Sequence, residues 1–238
     1  MAIKYLRPKY VLITSFILFS CWFLPQFYYS VSSTLRVLLV PDITKTKSYK
    51  TYLSRYDDAE FSVEPQMVLI GDSLAHDITP EIMEKCCNIT ISNIAIPGET
   101  SISLFARVRI LDALPTDYIY LWIGTNDIGR GIDTAITLSN IEAIIEKLNT
   151  QRKVTILLIP PASFVKRDNK AIKDLNHSLL GLCITSRVRC LDLHTPLVGD
   201  LFLNNKYSRD GLHLNIIGKL KVASLIANDY NSIEPNKT

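Results

Sequence analysis

The segment Met67-Val68-Leu69-Ile70-Gly71-Asp72-Ser73-Leu74 decides the fold of this 238-residue chain. Its four apolar residues predict a buried β-strand, and the glycine after them predicts a tight turn. This turn would present the Ser73 hydroxyl at the carboxyl end of the strand, where open α/β folds place their chemistry. The segment therefore predicts an α/β domain with a serine at its functional edge.

Strands and helices alternate along the rest of the domain. Strands are expected near residues 66–70, 89–95, 118–123, 153–159 and 188–192, and the apolar segment within 153–159 is the clearest of them. Apolar residues at helical spacing predict helices between them, and residues 216–230 predict a last helix. Such alternation implies three α/β/α layers, with a mostly parallel five-stranded sheet covered by helices on both faces.

Three further blocks of polar residues lie at the ends of predicted elements. They are Ile96-Pro97-Gly98-Glu99-Thr100, Gly124-Thr125-Asn126-Asp127 and Asp210-Gly211-Leu212-His213. Because the first two follow strands and the third precedes the last helix, we expect all of them at the edge that carries Ser73. A serine is a weak nucleophile until a base takes its proton, and the base works best when a third group orients it. His213 and Asp210 supply that base and that acid.

The two middle blocks predict hydrogen-bond donors for an oxyanion. Asn126 follows a buried apolar strand, where its side-chain amide can donate to a developing negative charge. Gly98 has no side chain, so its backbone N–H can approach a substrate oxygen closely. Each residue alone is equally well explained by a turn or a helix cap. Together with Ser73, Asp210 and His213 they predict a serine esterase, in which Asp72 and Asp127 shape turns.

The four blocks together resemble those of the GDSL, or SGNH, hydrolase family of serine esterases and lipases. The resemblance covers residues 64–231 and implies an SGNH hydrolase-like fold. It implies that Ser73 is the nucleophile and that Asp210 and His213 are the acid and base of a triad. It also implies that the Ser73 amide, Gly98 and Asn126 form an oxyanion hole.

The implied reaction is hydrolysis of a carboxylic ester through an acyl-enzyme, without a cofactor. Arg130 and Phe164 lie in predicted pocket loops and are candidates for substrate binding. The favoured substrate is an acetyl or other short acyl group on a surface carbohydrate. Three alternatives stay open: an O-acyltransferase with the same site, a lipid acyl esterase, and an anchored polysaccharide-binding or scaffold protein without catalysis.

Composition argues against several other classes of protein. The net charge of +3 is too small and too scattered to favour a nucleic-acid partner. The four histidines are not accompanied by cysteine or histidine pairs at zinc-like spacing, so no metal site is predicted. The sequence also lacks a phosphate loop and a dinucleotide-binding glycine motif.

The amino-terminal segment predicts a membrane anchor. Residues 10–35 carry no charge, and Tyr10–Tyr29 is long enough for one membrane-spanning helix. Lys4, Arg7 and Lys9 precede it, so the positive-inside rule places the amino terminus in the cytoplasm. We therefore expect a single-pass protein of the cell (inner) membrane whose catalytic domain faces outside the cytoplasm.

The predicted organisation of the chain has five parts. They are a basic cytoplasmic segment at 1–9, a transmembrane signal-anchor helix at 10–29, a stalk at 30–63, an SGNH hydrolase-like domain at 64–231 and a tail at 232–238. Two alternatives to the anchor stay open: a signal peptide cleaved after Val31-Ser32-Ser33, and a lipoprotein signal at Cys21.

Four cysteines lie in the domain that we expect to face an oxidising space: Cys86, Cys87, Cys183 and Cys190. Cys183 and Cys190 join the end of a predicted helix to the next strand, so a disulfide between them is the first pairing to expect. Burial of all four as small apolar side chains is an equal alternative.

Overall fold

The computed structural model describes most of the domain that the sequence predicts. The described residues are 50, 64–107, 116–148, 152–163 and 167–235. The predicted membrane segment Tyr10–Tyr29 and the predicted pocket residue Phe164 lie outside them. In the described ranges, none of the helices is both long enough and apolar enough to cross a membrane.

A five-stranded parallel sheet forms the centre of the domain. Its strands are β1 (Met67–Gly71), β2 (Ile91–Asn93), β3 (Tyr118–Trp122), β4 (Lys153–Leu157) and β5 (Arg189–Leu191). The order across the sheet is β2-β1-β3-β4-β5, and every neighbouring pair is parallel. In register, Val68 of β1 lies between Ser92 of β2 and Ile119 of β3. The predicted sheet is confirmed.

Helices connect these strands and cover the sheet. They are α1 (Ser73–His76), α2 (Pro80–Cys87), α3 (Ser101–Arg107), α4 (Thr125–Gly129), α5 (Thr134–Leu148), α6 (Asn169–Thr185) and α7 (Ile216–Ile233), with a 3-10 turn at Thr195–Leu197. Helix α2 begins with Pro80 after the cap residue Thr79, as the sequence predicts. The last helix begins at Ile216, as predicted, and ends at Ile233, three residues beyond its predicted end at residue 230.

Each face of the sheet carries its own apolar layer. Alternate residues of β1 point to opposite sides: Val68 and Ile70 pack with α5 and α6, whereas Met67 and Leu69 pack with α2 and α7. Strands β1 and β3 are buried along their whole length, which is why both are continuous apolar runs in the sequence. The three-layer α/β/α architecture is therefore confirmed.

Strand β1 ends where the strand order of the sheet reverses. The chain leaves β1 for β2 on one side and later reaches β3 on the other, so a crevice opens at their carboxyl ends. Strands β1 and β3 approach closely here, since a Cβ on Gly71 would lie 1.9 Å from the Trp122 carbonyl oxygen. The same oxygen accepts the Asp72 N–H at 3.2 Å. This contact fixes the position of the turn that carries Ser73.

Strand β2 begins later than predicted, at Ile91 rather than near residue 89. The reason is Asn88, which ends α2 in the left-handed conformation with φ of 54°. Its N–H donates to the Glu84 carbonyl of that helix. The chain therefore leaves α2 through a turn, and Ile89 is buried in the apolar layer before strand pairing begins.

The described part of the chain contains two disulfides. Cys183–Cys190 joins the end of α6 to β5 with a Cα–Cα distance of 6.0 Å, and it is the pairing that the sequence predicts. Cys86–Cys87 joins two neighbouring residues at the end of α2.

Replacing Gly71 with alanine is expected to destabilise the domain by about 1–3 kcal/mol or more, because the new Cβ would overlap the Trp122 carbonyl oxygen. Urea unfolding of G71A and wild type measures the difference. Gly181 on α6 is the matched control, since a Cβ there meets nothing within 4 Å. G181A should be neutral or slightly stabilising. Equal stability of G71A and G181A would contradict the role given to Gly71.

Candidate active site

Ser73 is the first residue of α1, directly after the turn that ends β1. Asp72 caps this helix, because its Oδ1 accepts the Leu74 N–H at 2.9 Å. The Ser73 hydroxyl consequently lies at the carboxyl edge of the sheet and is half-buried. The predicted turn-shaping role of Asp72 agrees with this cap.

A chain of hydrogen bonds joins Ser73, His213 and Asp210. Ser73 Oγ lies 3.2 Å from His213 Nε2, and His213 Nδ1 lies 2.8 Å from Asp210 Oδ2. The other carboxylate oxygen of Asp210 accepts the backbone N–H groups of His213 and Leu212, at 2.7 and 3.0 Å. Asp210 therefore holds the imidazole ring with Nε2 toward the serine hydroxyl.

Asp210 is ionised throughout the neutral pH range. Partial burial raises the pKa of its carboxyl, but hydrogen bonds from the His213 ring, the His213 N–H and the Leu212 N–H together lower it to about 2. A carboxylate in this position stabilises the imidazolium that forms when His213 takes a proton. The pair thus has the charge arrangement of an oriented general base.

The loop before α7 holds His213 in place. The carbonyl oxygen of His213 accepts hydrogen bonds from the Arg209 N–H at 2.9 Å and from the Ser208 hydroxyl at 3.1 Å. The carbonyl oxygen of Gly211 accepts the Ser163 N–H at 2.7 Å. The loop is therefore tied both to itself and to the segment that follows β4.

Gly98 and Asn126 lie on either side of the Ser73 turn, because they follow β2 and β3, the two neighbours of β1. Asn126 Nδ2 donates to the Glu99 carbonyl oxygen at 3.0 Å, which links the two loops across the end of β1. Gly98 has φ of 81°, which favours glycine. The Gly98 carbonyl oxygen accepts a hydrogen bond from Nη2 of Arg130 at 2.8 Å. The structure therefore brings Ser73, His213 and Asp210 into one chain of hydrogen bonds, and it joins the Gly98 and Asn126 loops to each other.

Buried carboxyl groups anchor the same two loops from inside the domain. Glu99 forms an ion pair with Arg107 at 2.6 Å, and Arg107 also donates to the Ile94 carbonyl oxygen at 2.9 Å. Asp127 accepts the Ser101 N–H at 3.0 Å and the Ser101 hydroxyl at 2.5 Å. Burial raises the pKa of both carboxyls, and these partners oppose the rise. Asp127 holds a loop, as predicted from the sequence.

Sequence reasoning missed Arg167, which reaches this edge from the loop before α6. Its Nη2 donates to Asn126 Oδ1 at 3.1 Å. No local pattern marks it, because the two residues are 41 positions apart and meet only through the fold. Of the two predicted substrate contacts, Arg130 is exposed beside Gly98, whereas Phe164 lies outside the described residues.

Asp72 is a fully buried carboxyl beside the serine. The pKa of its carboxyl is raised to about 7, and burial is the main cause. The charges of Asp127 and Glu99 add to the rise, whereas the hydrogen bond from the Leu74 N–H opposes it. Its Oδ2 is buried and has no hydrogen-bond partner in the described part of the chain. Because a buried, unpartnered carboxylate oxygen is costly, folding favours the protonated form.

Replacing Asp72 with asparagine is expected to remove a pH dependence of stability. A carboxyl whose pKa is raised by folding destabilises the folded state as it ionises. Wild-type stability should therefore fall as the pH rises from the ordinary value of 3.8 through about 7. D72N keeps the Oδ1 acceptor for the helix cap and cannot ionise, so it should lack this decline. Urea unfolding over this pH range measures the free energy of unfolding of both proteins. Parallel pH profiles for wild type and D72N would contradict the raised pKa of Asp72.

Comparison with known proteins gives one family and many structural neighbours. The sequence model of the GDSL-like Lipase/Acylhydrolase family matches residues 69–219. A GDSL-like lipase from Bacteroides thetaiotaomicron superposes with a TM-score of 0.69 at 22% identity, covering 78% of this chain and 98% of that chain. No protein of curated function matches the sequence.

Two acetyl xylan esterases are also similar in structure. One has a TM-score of 0.60 at 22% identity, covering 68% of this chain and 98% of that chain. The other, a catalytic mutant from Geobacillus stearothermophilus, has a TM-score of 0.59 at 12% identity, covering 72% and 96%. At these identities the likeness shows the fold alone. The family match covers more than half of the 238 residues and spans the four blocks that the structure brings together. The chain belongs to the GDSL-like lipase/acylhydrolase family.

Proposed function

We propose that the protein is a membrane-anchored serine esterase that removes acetyl or other short acyl groups from a surface carbohydrate. Ser73 is the nucleophile, His213 the base and Asp210 the acid that orients it. The observation that carries this proposal is the continuous chain of hydrogen bonds from Asp210 through His213 to Ser73 at the carboxyl edge of the sheet.

In the proposed reaction, Ser73 Oγ attacks the ester carbonyl carbon while His213 Nε2 takes the hydroxyl proton. The carbonyl electrons move onto oxygen, and Asp210 stabilises the imidazolium. When the tetrahedral intermediate collapses, His213 gives the proton to the departing alcohol and the acyl group stays on Ser73. Water attacks this acyl-enzyme with His213 again as the base, which releases the carboxylic acid and restores the serine.

The oxyanion receives hydrogen bonds from the Ser73 and Gly98 N–H groups and from Asn126 Nδ2. An amide nitrogen carries two hydrogens, and Asn126 uses one for the Glu99 carbonyl oxygen. The second hydrogen is available to the substrate. One such donor typically contributes about 10²–10³ in rate.

Two observations support a short acyl group on a carbohydrate. Two structural neighbours are named as acetyl xylan esterases. The exposed guanidinium of Arg130 lies beside Gly98, where it can contact hydroxyl or acid groups of a sugar, and Phe164 completes the proposed substrate contacts.

A second candidate, a lipid acyl esterase, is favoured by the exposed apolar side chains of Ile216 and Ile217, directly after the His213 loop.

Hydrolysis of nitrophenyl esters of increasing chain length and of acetylated xylan tests the proposal. The acetyl ester should be the best of the series, and acetate should be released from the polysaccharide.

S73A should lose about 10⁶ in turnover, because only binding and oxyanion effects remain. A fluorophosphonate should label wild type at Ser73 but not S73A. More than a tenth of the activity in S73A would remove Ser73 from its role, and faster turnover of long chains would favour the lipid substrate.

The proposed location is the cell membrane, with Tyr10–Tyr29 as a single anchor and the domain outside the cytoplasm. The uncharged segment supports insertion, and Lys4, Arg7 and Lys9 support the orientation. The Cys183–Cys190 disulfide supports an oxidising compartment.

Protease added to intact spheroplasts is expected to digest the domain beyond residue 35, while the untreated protein stays with the membrane fraction. The reason is that only a domain outside the cytoplasm is accessible. A cytoplasmic protein that the protease can digest serves as the control: it should stay undigested while the spheroplasts are intact. Protection of the domain, or its release as a soluble form without the anchor, would contradict the proposed topology.

A further inference from the structure

The guanidinium of Arg167 occupies a space that a glycine leaves for it. Arg167 lies just before Asp168, the residue that caps α6, and its side chain extends to α4. A Cβ on Gly129, the last residue of α4, would lie 1.8 Å from Arg167 Nη1. Any larger residue at Gly129 would therefore displace the guanidinium from its place beside Asn126.

The Asn126 amide is held from both ends. Arg167 Nη2 donates to Oδ1 at 3.1 Å, and Nδ2 donates to the Glu99 carbonyl oxygen at 3.0 Å. A guanidinium only donates and a carbonyl oxygen only accepts, so these two partners fix which end of the amide is nitrogen. A flipped amide would place its oxygen against the Glu99 carbonyl and its nitrogen against the guanidinium.

Without Arg167, only one hydrogen bond would orient the amide. The Asn126 side chain could then rotate, and an amide oxygen turned toward the substrate would repel an oxyanion instead of stabilising it. The Arg167 charge also polarises the amide, which makes the Nδ2 hydrogens stronger donors. Both effects act on the transition state, where negative charge develops, more than on the bound ester.

We propose that Arg167 is a positioning residue of the oxyanion hole, which holds Asn126 with Nδ2 toward the oxyanion. The inference rests on the proposed esterase function. It assigns no contact between Arg167 and the substrate. Loss of Arg167 should consequently lower kcat and leave KM nearly unchanged.

Steady-state hydrolysis of nitrophenyl acetate by R167M, R167K and N126A tests this role. N126A should lower kcat by about 10²–10³. R167M should lower kcat by about tenfold or more with KM within about twofold, since one of two orienting bonds is lost. R167K should recover part of kcat, because lysine can still donate to Oδ1. K173M on α6 is the matched control: Lys173 is exposed on the helix that follows Arg167, and kcat should not change.

A double-mutant cycle separates positioning from a general structural effect. If Arg167 acts through Asn126, R167M should cost little more in the N126A background than N126A alone. Full additivity of the two losses in kcat would overturn the proposal. Equal kcat for R167M and wild type would overturn it as well.

G129A supplies a second variant that keeps the arginine. Its Cβ would displace the guanidinium, so kcat should fall as in R167M even if R167M folds poorly. Thermal unfolding shows which variants are folded, and wild-type kcat in a folded G129A would contradict the inference. Failure of the proposed function is distinguishable, because wild type would then hydrolyse no ester and Ser73 would not react with a fluorophosphonate.

Discussion

Where β1 ends, the Asp72 N–H donates to the Trp122 carbonyl oxygen, and Gly71 lies so close to this oxygen that no side chain fits between them. Ser73 follows the end of β1, and the segment leading to Asn126 follows the end of β3. The positions of the serine and the amide are therefore set by backbone atoms of the sheet, and core strands open only at a high free energy. The loops add only the side chains.

Buried carboxyl groups then tie these loops to helix α3. Glu99 and Asp127 are both buried, and each is satisfied by partners on α3: Arg107 for the first and Ser101 for the second. A buried charge is costly unless it is paired, so any movement of these loops that broke the pairs would be strongly unfavourable. Donors that are already in place need no reorganisation when charge develops, which is the condition for effective oxyanion stabilisation.

The sequence predicts those features of the fold and the site that depend on residues close together in the chain. Strands β1 and β3 are buried on both faces and so are continuous apolar runs. Asp210 and His213 are only three residues apart in the chain. Two features have no such pattern. The late start of β2 depends on the left-handed conformation of Asn88, which the alternating apolar and polar residues after it do not indicate. The contact between Arg167 and Asn126 joins residues 41 positions apart, so only the fold creates it.

Two cations bind the loops on either side of the Ser73 turn: Arg130 donates to the Gly98 carbonyl oxygen, and Arg167 donates to Asn126 Oδ1. Burial and the Arg130 charge lower the pKa of Arg167, whereas the Asp72 charge raises it. In the proposed mechanism, negative charge develops between the loops that carry them, and both guanidiniums attract it. Under that mechanism the attraction is stronger for the charged transition state than for the uncharged ester, which is the requirement for a faster chemical step.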